Sequence, residues 1–126
     1  DLVLADMEFM PLRSESADTL LYISSIHHLR DPSAALVEAK RVLKEGGNIM
    51  ATVWLVQPRY FFKRNIVITS YVSGRRVERF YKLYLPWELK KTMERVGFRT
   101  IFSKNYRVNS ILPNNSIYLG KKASLS

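Results

Sequence analysis

His27 and His28 are the two histidines of this 126-residue chain, and standing side by side they invite a metal reading. No carboxylate or third ligand lies at a useful spacing from them, and cysteine is absent, so the pair lacks the partners a zinc site draws on. The same absence removes disulfides, thiolate ligands and a cysteine nucleophile. A second concentration of chemistry runs from Arg59 to Lys82. It holds seven basic residues (Arg59, Lys63, Arg64, Arg75, Arg76, Arg79 and Lys82) against one acid, Glu78. Tyr60, Phe61, Phe62, Tyr71, Phe80 and Tyr81 are interleaved with them. Cations mixed with rings suit phosphate contact and stacking on unpaired bases. The whole chain carries a net charge of +9, from 20 basic and 11 acidic residues. Such an excess favours an anionic partner, nucleic acid first, over a charge that merely aids solubility.

The elements that must position these residues follow from the apolar pattern. Hydrophobic residues make up 47% and charged residues 25%, the composition of one ordinary globular domain. Three apolar runs stand out: Leu2 to Ala5, Thr19 to Ile23 and Ile49 to Val56. None alternates, which predicts parallel strands covered by helices on both faces. Between the second and third runs, Asp31 as N-cap and Pro32 at the first helical position open a helix with Leu36, Ala39, Val42 and Leu43 on one side. Gly46 and Gly47 are expected to end it. Strand, helix and strand in this order predict a right-handed parallel crossover. A second helix is predicted from Pro86 to about Val96, stopped by Gly97, with strands at Phe98 to Ser103 and Ser116 to Lys121 as an antiparallel pair. The basic stretch, about 59–85, reads as an insertion over one end of the sheet, with Ile66 to Val72 as a short strand or a helical turn. No apolar run reaches the roughly 18 residues of a membrane helix, and no membrane partner is expected. No signal peptide is expected. A chain that opens on Asp1 and runs straight into Leu2-Val3-Leu4-Ala5 is expected to be a fragment.

Four segments in order carry a family resemblance. Ala5-Asp6-Met7-Glu8-Phe9-Met10-Pro11-Leu12 resembles the D-x-x-x-L-P segment after the third strand of class I S-adenosylmethionine (AdoMet)-dependent methyltransferases. Ser16-Ala17-Asp18-Thr19-Leu20-Leu21 looks like their entry into the fourth strand, and Ser25-Ile26-His27-His28-Leu29 like the V-L-H-H-L that follows it. Glu38 to Gly47 resembles E-x-x-R-V-L-K-P-G-G, which leads into the fifth strand. Within that superfamily the chain is most similar to the tRNA wobble-uridine (carboxymethyluridine) methyltransferases. Ala51-Thr52-Val53-Trp54-Leu55-Val56-Gln57 looks like their Y-V-W-A-x-E-Q. Arg79-Phe80-Tyr81-Lys82-Leu83-Tyr84 looks like their R-Y-Y-H-x-F. Val56 stands where that family has an acid and Lys82 where it has a histidine.

The resemblance implies an α/β fold: the C-terminal part of a Rossmann-like seven-stranded methyltransferase sheet, lacking the first two strands and the glycine-rich loop. An isolated strand at Leu2 to Ala5 would then have to re-pair, exchange with another copy to form a homo-oligomer, or stay loose. AdoMet is the implied cofactor. Asp6 would accept a hydrogen bond from its adenine amino group, the Met7 backbone would meet the ring edge, and the Ile23 and Ser24 backbone would lie near the methionine part. A structural role is expected for one histidine, while His28 faces the methyl-transfer pocket. Methyl transfer is chiefly a matter of alignment, so no triad or metal is required. For a carboxylate nucleophile Arg79 is the orienting cation, with Arg59 behind it, and Trp54 and Tyr81 flank an unstacked base. Trp54 reads equally as strand core and Arg79 as a solvated surface charge. The resemblance also implies tRNA and a small zinc-binding activator subunit as partners, in the cytoplasm. The alternatives are a small-molecule methyltransferase of quinone or sterol type, and a non-catalytic fragment unable to hold AdoMet alone.

Overall fold

The computed structural model describes residues 8–123. The Leu2 to Ala5 run and the expected cofactor contacts Asp6 and Met7 lie outside the described residues. Four strands form the main sheet: β1 (Ala17–Ile23), β2 (Leu43–Trp54), β5 (Phe98–Tyr106) and β6 (Asn115–Lys122), in the order β1-β2-β6-β5. β1 and β2 run parallel, and the pairs β2/β6 and β6/β5 are antiparallel. Helix α1 (Ser33–Val42) links the parallel pair, and α2 (Glu88–Val96) precedes β5. The expected strand-helix-strand unit and the terminal antiparallel pair are both present.

Burial shows which face of the sheet forms the core. Ile49, Ala51 and Val53 of β2 are fully buried in one cluster with Tyr22, Leu36, Ala39, Leu89, Met93 and Tyr118. Both helices therefore pack on that face. The other face differs from expectation. Leu21 is paired with Met50, which is paired with Leu119, so the three share a row; yet Leu21 is 60% exposed, and its neighbour Ile23 is 56% exposed. Among the described residues β1 is an edge strand with helical cover on one face only. Its unbroken apolar run led to the expectation of two.

Helix α1 also ends earlier than its glycines suggest. Asp31 Oδ1 accepts the Ser33 N–H at 2.9 Å, so Asp31 caps the first turn from one residue further back, with Pro32 at the cap position. At the far end the Arg41 and Val42 carbonyls accept the N–H groups of Glu15 and Ser16 at 2.9 and 2.8 Å. Leu43 is already extended, and its carbonyl accepts the buried Lys122 Nζ at 2.7 Å. Partners remote in sequence satisfy the carbonyls that a C-terminal glycine motif would otherwise serve. Gly46, at φ +77°, sits inside β2, where the pairing with β1 jumps from Ala17–Leu43 to Thr19–Asn48. It turns a bulge rather than a helix end. Gly97 meets its expectation: it follows α2 at φ +113° and returns N–H bonds to Met93 and Glu94.

The basic stretch folds as a separate two-stranded antiparallel ribbon, β3 (Asn65–Val72) and β4 (Arg75–Lys82). Ser73 and Gly74 join them, both at positive φ (52° and 76°) between the paired Val72 and Arg75. That is the two-residue reversal whose twist matches a hairpin. The Ile66 to Val72 segment is thus a strand. Glu88 at the start of α2 fastens the ribbon's base. It accepts from Arg64 at 2.5 Å and from the Leu85 N–H at 3.1 Å, and lies 3.5 Å from Lys82 Nζ. Leu83 and Arg64 also exchange backbone and side-chain bonds. Beyond β4, the Tyr84 N–H donates to the Trp54 carbonyl at 2.9 Å, which brings the ribbon's base to the carboxyl end of β2.

Candidate functional site

The carboxyl ends of β1 and β2 meet where open α/β sheets bind ligands. β1 stops because Ser24 turns to φ +48°, with its N–H directed at Thr52 Oγ1 (2.8 Å) and the Thr52 carbonyl (3.2 Å). A short 3-10 turn, Ile26–His28, follows at once. It buries Ile26 and His27 and leaves His28 half-buried.

His27, Trp54, Tyr81 and His28 form one aromatic cluster from three segments. Trp54 at the end of β2 and Tyr81 on β4 stack in parallel, 4.6 Å apart with 2° between the planes. The His27 ring meets Trp54 at 5.2 Å, Tyr81 at 5.1 Å and His28 at 4.6 Å, all edge-on. His27 is 1% exposed. Its pKa is lowered to about 4, first by burial and then by the neighbouring His28, against a backbone hydrogen bond to Ser24 that raises it. The Trp54 backbone N–H points at His27 Nδ1 across a long 3.4 Å. His27 is therefore the neutral centre of the cluster, and the adjacent histidines divide into one buried ring and one that reaches the surface.

His28 is fixed differently. Its Nδ1 lies 2.9 Å from the Phe80 carbonyl of β4, and its ring is 4.5 Å from Tyr81. His28, Arg79 and Phe80 line an open hollow. Arg30 holds Phe80 from another side, its guanidinium 4.1 Å above the ring.

The structure thus gathers some of the expected site residues and separates others. Arg79 and His28 share the hollow, and Trp54 and Tyr81 share a stack a short way along the same strands. Tyr81 is 8% exposed and enclosed by Trp54, His27 and His28, so it supports Trp54 more than it offers a free face. Ile23 and Ser24 are exposed at the end of β1. Arg59 lies elsewhere, against the Tyr60 ring at 5.3 Å and in a second hollow with Phe61, Lys63 and Ile66 to Ile68. Of the seven basic residues, Arg64 and Lys82 are paired with Glu88 and Arg76 with Glu78. Arg59, Lys63, Arg75 and Arg79 have no carboxylate partner among the described residues. Sequence reasoning missed Thr52, Phe80 and Glu88. The first two act through backbone or hydroxyl groups that carry no motif. Glu88, at the first position of a helix, was a readable signal. No group of three or more metal-ligating side chains occurs among the described residues, and none of their helices is long and apolar enough to cross a membrane.

Comparison with known proteins assigns the architecture. A family model described as a methyltransferase domain matches residues 1–51. A SAM-dependent methyltransferase from Methanosarcina mazei superposes with a TM-score of 0.78 at 12% identity, over 94% of this chain and 65% of that one. The fold is that of a class I AdoMet-dependent methyltransferase. A putative methyltransferase of Haloferax volcanii, solved in complex with the Trm112 methyltransferase activator, shares this fold with a TM-score of 0.67 at 13% identity, over 97% of this chain and 61% of that one. In sequence, the malonyl-[acyl-carrier protein] O-methyltransferase of Hahella chejuensis is 34% identical over 76 residues, which cover 60% of this chain. The chain spans about a quarter (26%) of that curated relative and about two-thirds of the solved structures.

Ile23 and the turned Ser24, held down by Thr52, are exposed at the end of β1. Each glycine among the described residues has a local role: Gly46 a bulge, Gly47 a close approach to the Lys44 carbonyl (2.8 Å from an added Cβ), Gly74 the hairpin, Gly97 a helix stop, and Gly120 a close approach in which an added Cβ would lie 2.4 Å from the Tyr118 ring.

Proposed function

We propose that this chain supplies the acceptor-facing part of an AdoMet-dependent methyltransferase, and that its acceptor is a small anionic molecule, free or tethered to a carrier. One observation carries the reading: Arg79 has no carboxylate partner and shares an open hollow with His28, beside the aromatic cluster at the carboxyl ends of β1 and β2. An unpaired guanidinium is a ready fork for a carboxylate or phosphate. The 34% identical relative, an O-methyltransferase of malonyl-acyl-carrier protein, also supports an acidic acceptor. AdoMet, when bound, brings a methyl group already activated on sulfur. What remains for the chain is alignment: Ile23 and Ser24 beside the methionine part, Arg79 on the acceptor's anion, and Trp54 backed by Tyr81 along its flank. The test is Arg79→Ala in the methyltransferase that contains this chain. The acceptor KM is expected to rise about tenfold or more while S-adenosylhomocysteine affinity stays unchanged. Equal losses in both would assign Arg79 to structure instead.

A second reading keeps a modified wobble uridine of tRNA as acceptor. The ribbon favours it, with Arg59, Lys63, Arg75 and Arg79 free of carboxylates and Phe61, Phe62 and Tyr71 exposed beside them. On this reading the activator bound by the Haloferax relative suggests an activator subunit here too; a zinc-binding one, and a cytoplasmic setting, belong to the same proposal. Titration with tRNA at several salt concentrations decides: affinity falling steeply with salt supports phosphate contact, and a flat response removes the tRNA reading. Strand exchange into a homo-oligomer would show as a dimer in sedimentation.

A further inference from the structure

The two histidines present opposite nitrogens. A carbonyl can only accept, so the 2.9 Å contact between His28 Nδ1 and the Phe80 carbonyl places a hydrogen on Nδ1. In the neutral ring Nε2 is then the lone-pair nitrogen. At His27 the Trp54 N–H approaches Nδ1, which makes Nδ1 the acceptor there and puts the hydrogen on Nε2. His28 Nε2 has no hydrogen-bond partner among the described residues, and the half-buried ring borders the hollow that also holds Arg79. Its orientation is set by Tyr81 at 4.5 Å, by the edge of His27 and by β4 itself. The titratable and charged groups that face it are His27 on its own turn and Arg79 and Tyr81 on β4.

We propose that His28 Nε2 is the proton acceptor of this site. It takes the N–H or O–H proton that the methyl acceptor gives up. The acceptor class is thereby narrowed to small molecules that carry a titratable hydroxyl or ring N–H beside the anionic group held by Arg79. This rests on the small-acceptor reading above. The acceptor's O–H or N–H bond breaks as the methyl group replaces its proton. The proton moves to Nε2, and the resulting imidazolium, still bonded to Phe80 through Nδ1, releases it to water. A bare carboxylate acceptor would need no such base. The Phe80 carbonyl makes the arrangement depend on the ribbon, because β4 selects which nitrogen of His28 is offered.

Two measurements on the full chain test this. In long-range proton–nitrogen NMR spectra of histidine-labelled protein, His28 is expected as the Nδ1–H tautomer and His27 as the Nε2–H tautomer. His28 found as Nε2–H overturns the proposal without any variant. The second is calorimetric titration with benzoate and with 2-, 3- and 4-hydroxybenzoate as probes. At least one hydroxybenzoate is expected to bind roughly tenfold tighter than benzoate. His28→Asn, whose amide can still donate to Phe80, is expected to erase that preference and leave benzoate binding intact. Benzoate bound with no hydroxyl preference, or a preference that survives in His28→Asn, overturns the role of His28 and leaves the Arg79 anion site standing. No binding of any of the four probes overturns both.

Discussion

The four-stranded sheet and the two-stranded ribbon spend their residues in opposite ways. In the sheet, Ile49, Ala51, Val53 and Tyr118 are fully buried beneath two helices, and the charged Lys122 is itself buried on the Leu43 carbonyl. In the ribbon, Val67, Tyr71 and Val72 are more than half exposed, and the basic residues outnumber their acidic partners. The sheet is held by burial, whereas the ribbon is held by its turn, its ladder and the anchor at Glu88. Stability therefore resides in one part, the proposed function puts acceptor recognition in the other, and the aromatic cluster joins them.

Substitutions should separate the two. The largest expected effect is Leu36→Ala, which empties a fully buried site on α1 and should cost about 2–5 kcal/mol in urea unfolding. Val67→Ala, in the exposed ribbon, should stay within about 0.5 kcal/mol; similar losses from both would erase the distinction. Next comes Glu88→Gln, which weakens the anchor shared by Arg64 and Lys82. Amide exchange should quicken across β3 and β4 while β2 and β6 keep their protection. Uniform quickening would mean one cooperative unit. The acid response of the cluster is smaller. Burial lowers the His27 pKa to about 4 in the folded chain, below the ordinary histidine value of 6.5, so between these values the unfolded chain binds more protons. Its contribution to stability is complete above pH 6.5 and is lost as pH falls toward 4. The Tm should drop over that window, and His27→Asn should flatten the drop. The most local effect is Gly74→Ala at φ +76°, where the space around the position is open and only backbone strain opposes the methyl group. A loss of about 1 kcal/mol confined to the ribbon is expected.

The same contrast explains what the sequence disclosed. Apolar runs marked β1 and β2, and Pro86 and Gly97 bracketed α2, because burial and backbone chemistry act locally there. The end of α1 was misplaced because the groups that stop it, Glu15, Ser16 and Lys122, are remote in the chain. The open face of β1 was missed because an apolar run does not say whether a second helical layer exists. In the ribbon Ser73-Gly74 was a readable turn signal, obscured because the exposed Val67 and Val72 stand in one apolar run with the half-buried Ile66 and Ile68 and hide the alternation of faces. The site was legible in part. The histidine pair and Arg79 stand out by type, but the division of labour between His27 and His28 depends on the Trp54 amide and the Phe80 carbonyl, which any residue could supply.

On the proposed function the carboxyl end of β1 meets AdoMet while the ribbon meets the acceptor. Amide NMR of the methyltransferase containing this chain, titrated with S-adenosylhomocysteine, tests it most directly. Shifts are expected at Ile23 and Ser24, with the ribbon tip at Gly74 unmoved. Saturating cofactor product that leaves Ile23 and Ser24 unchanged would contradict it.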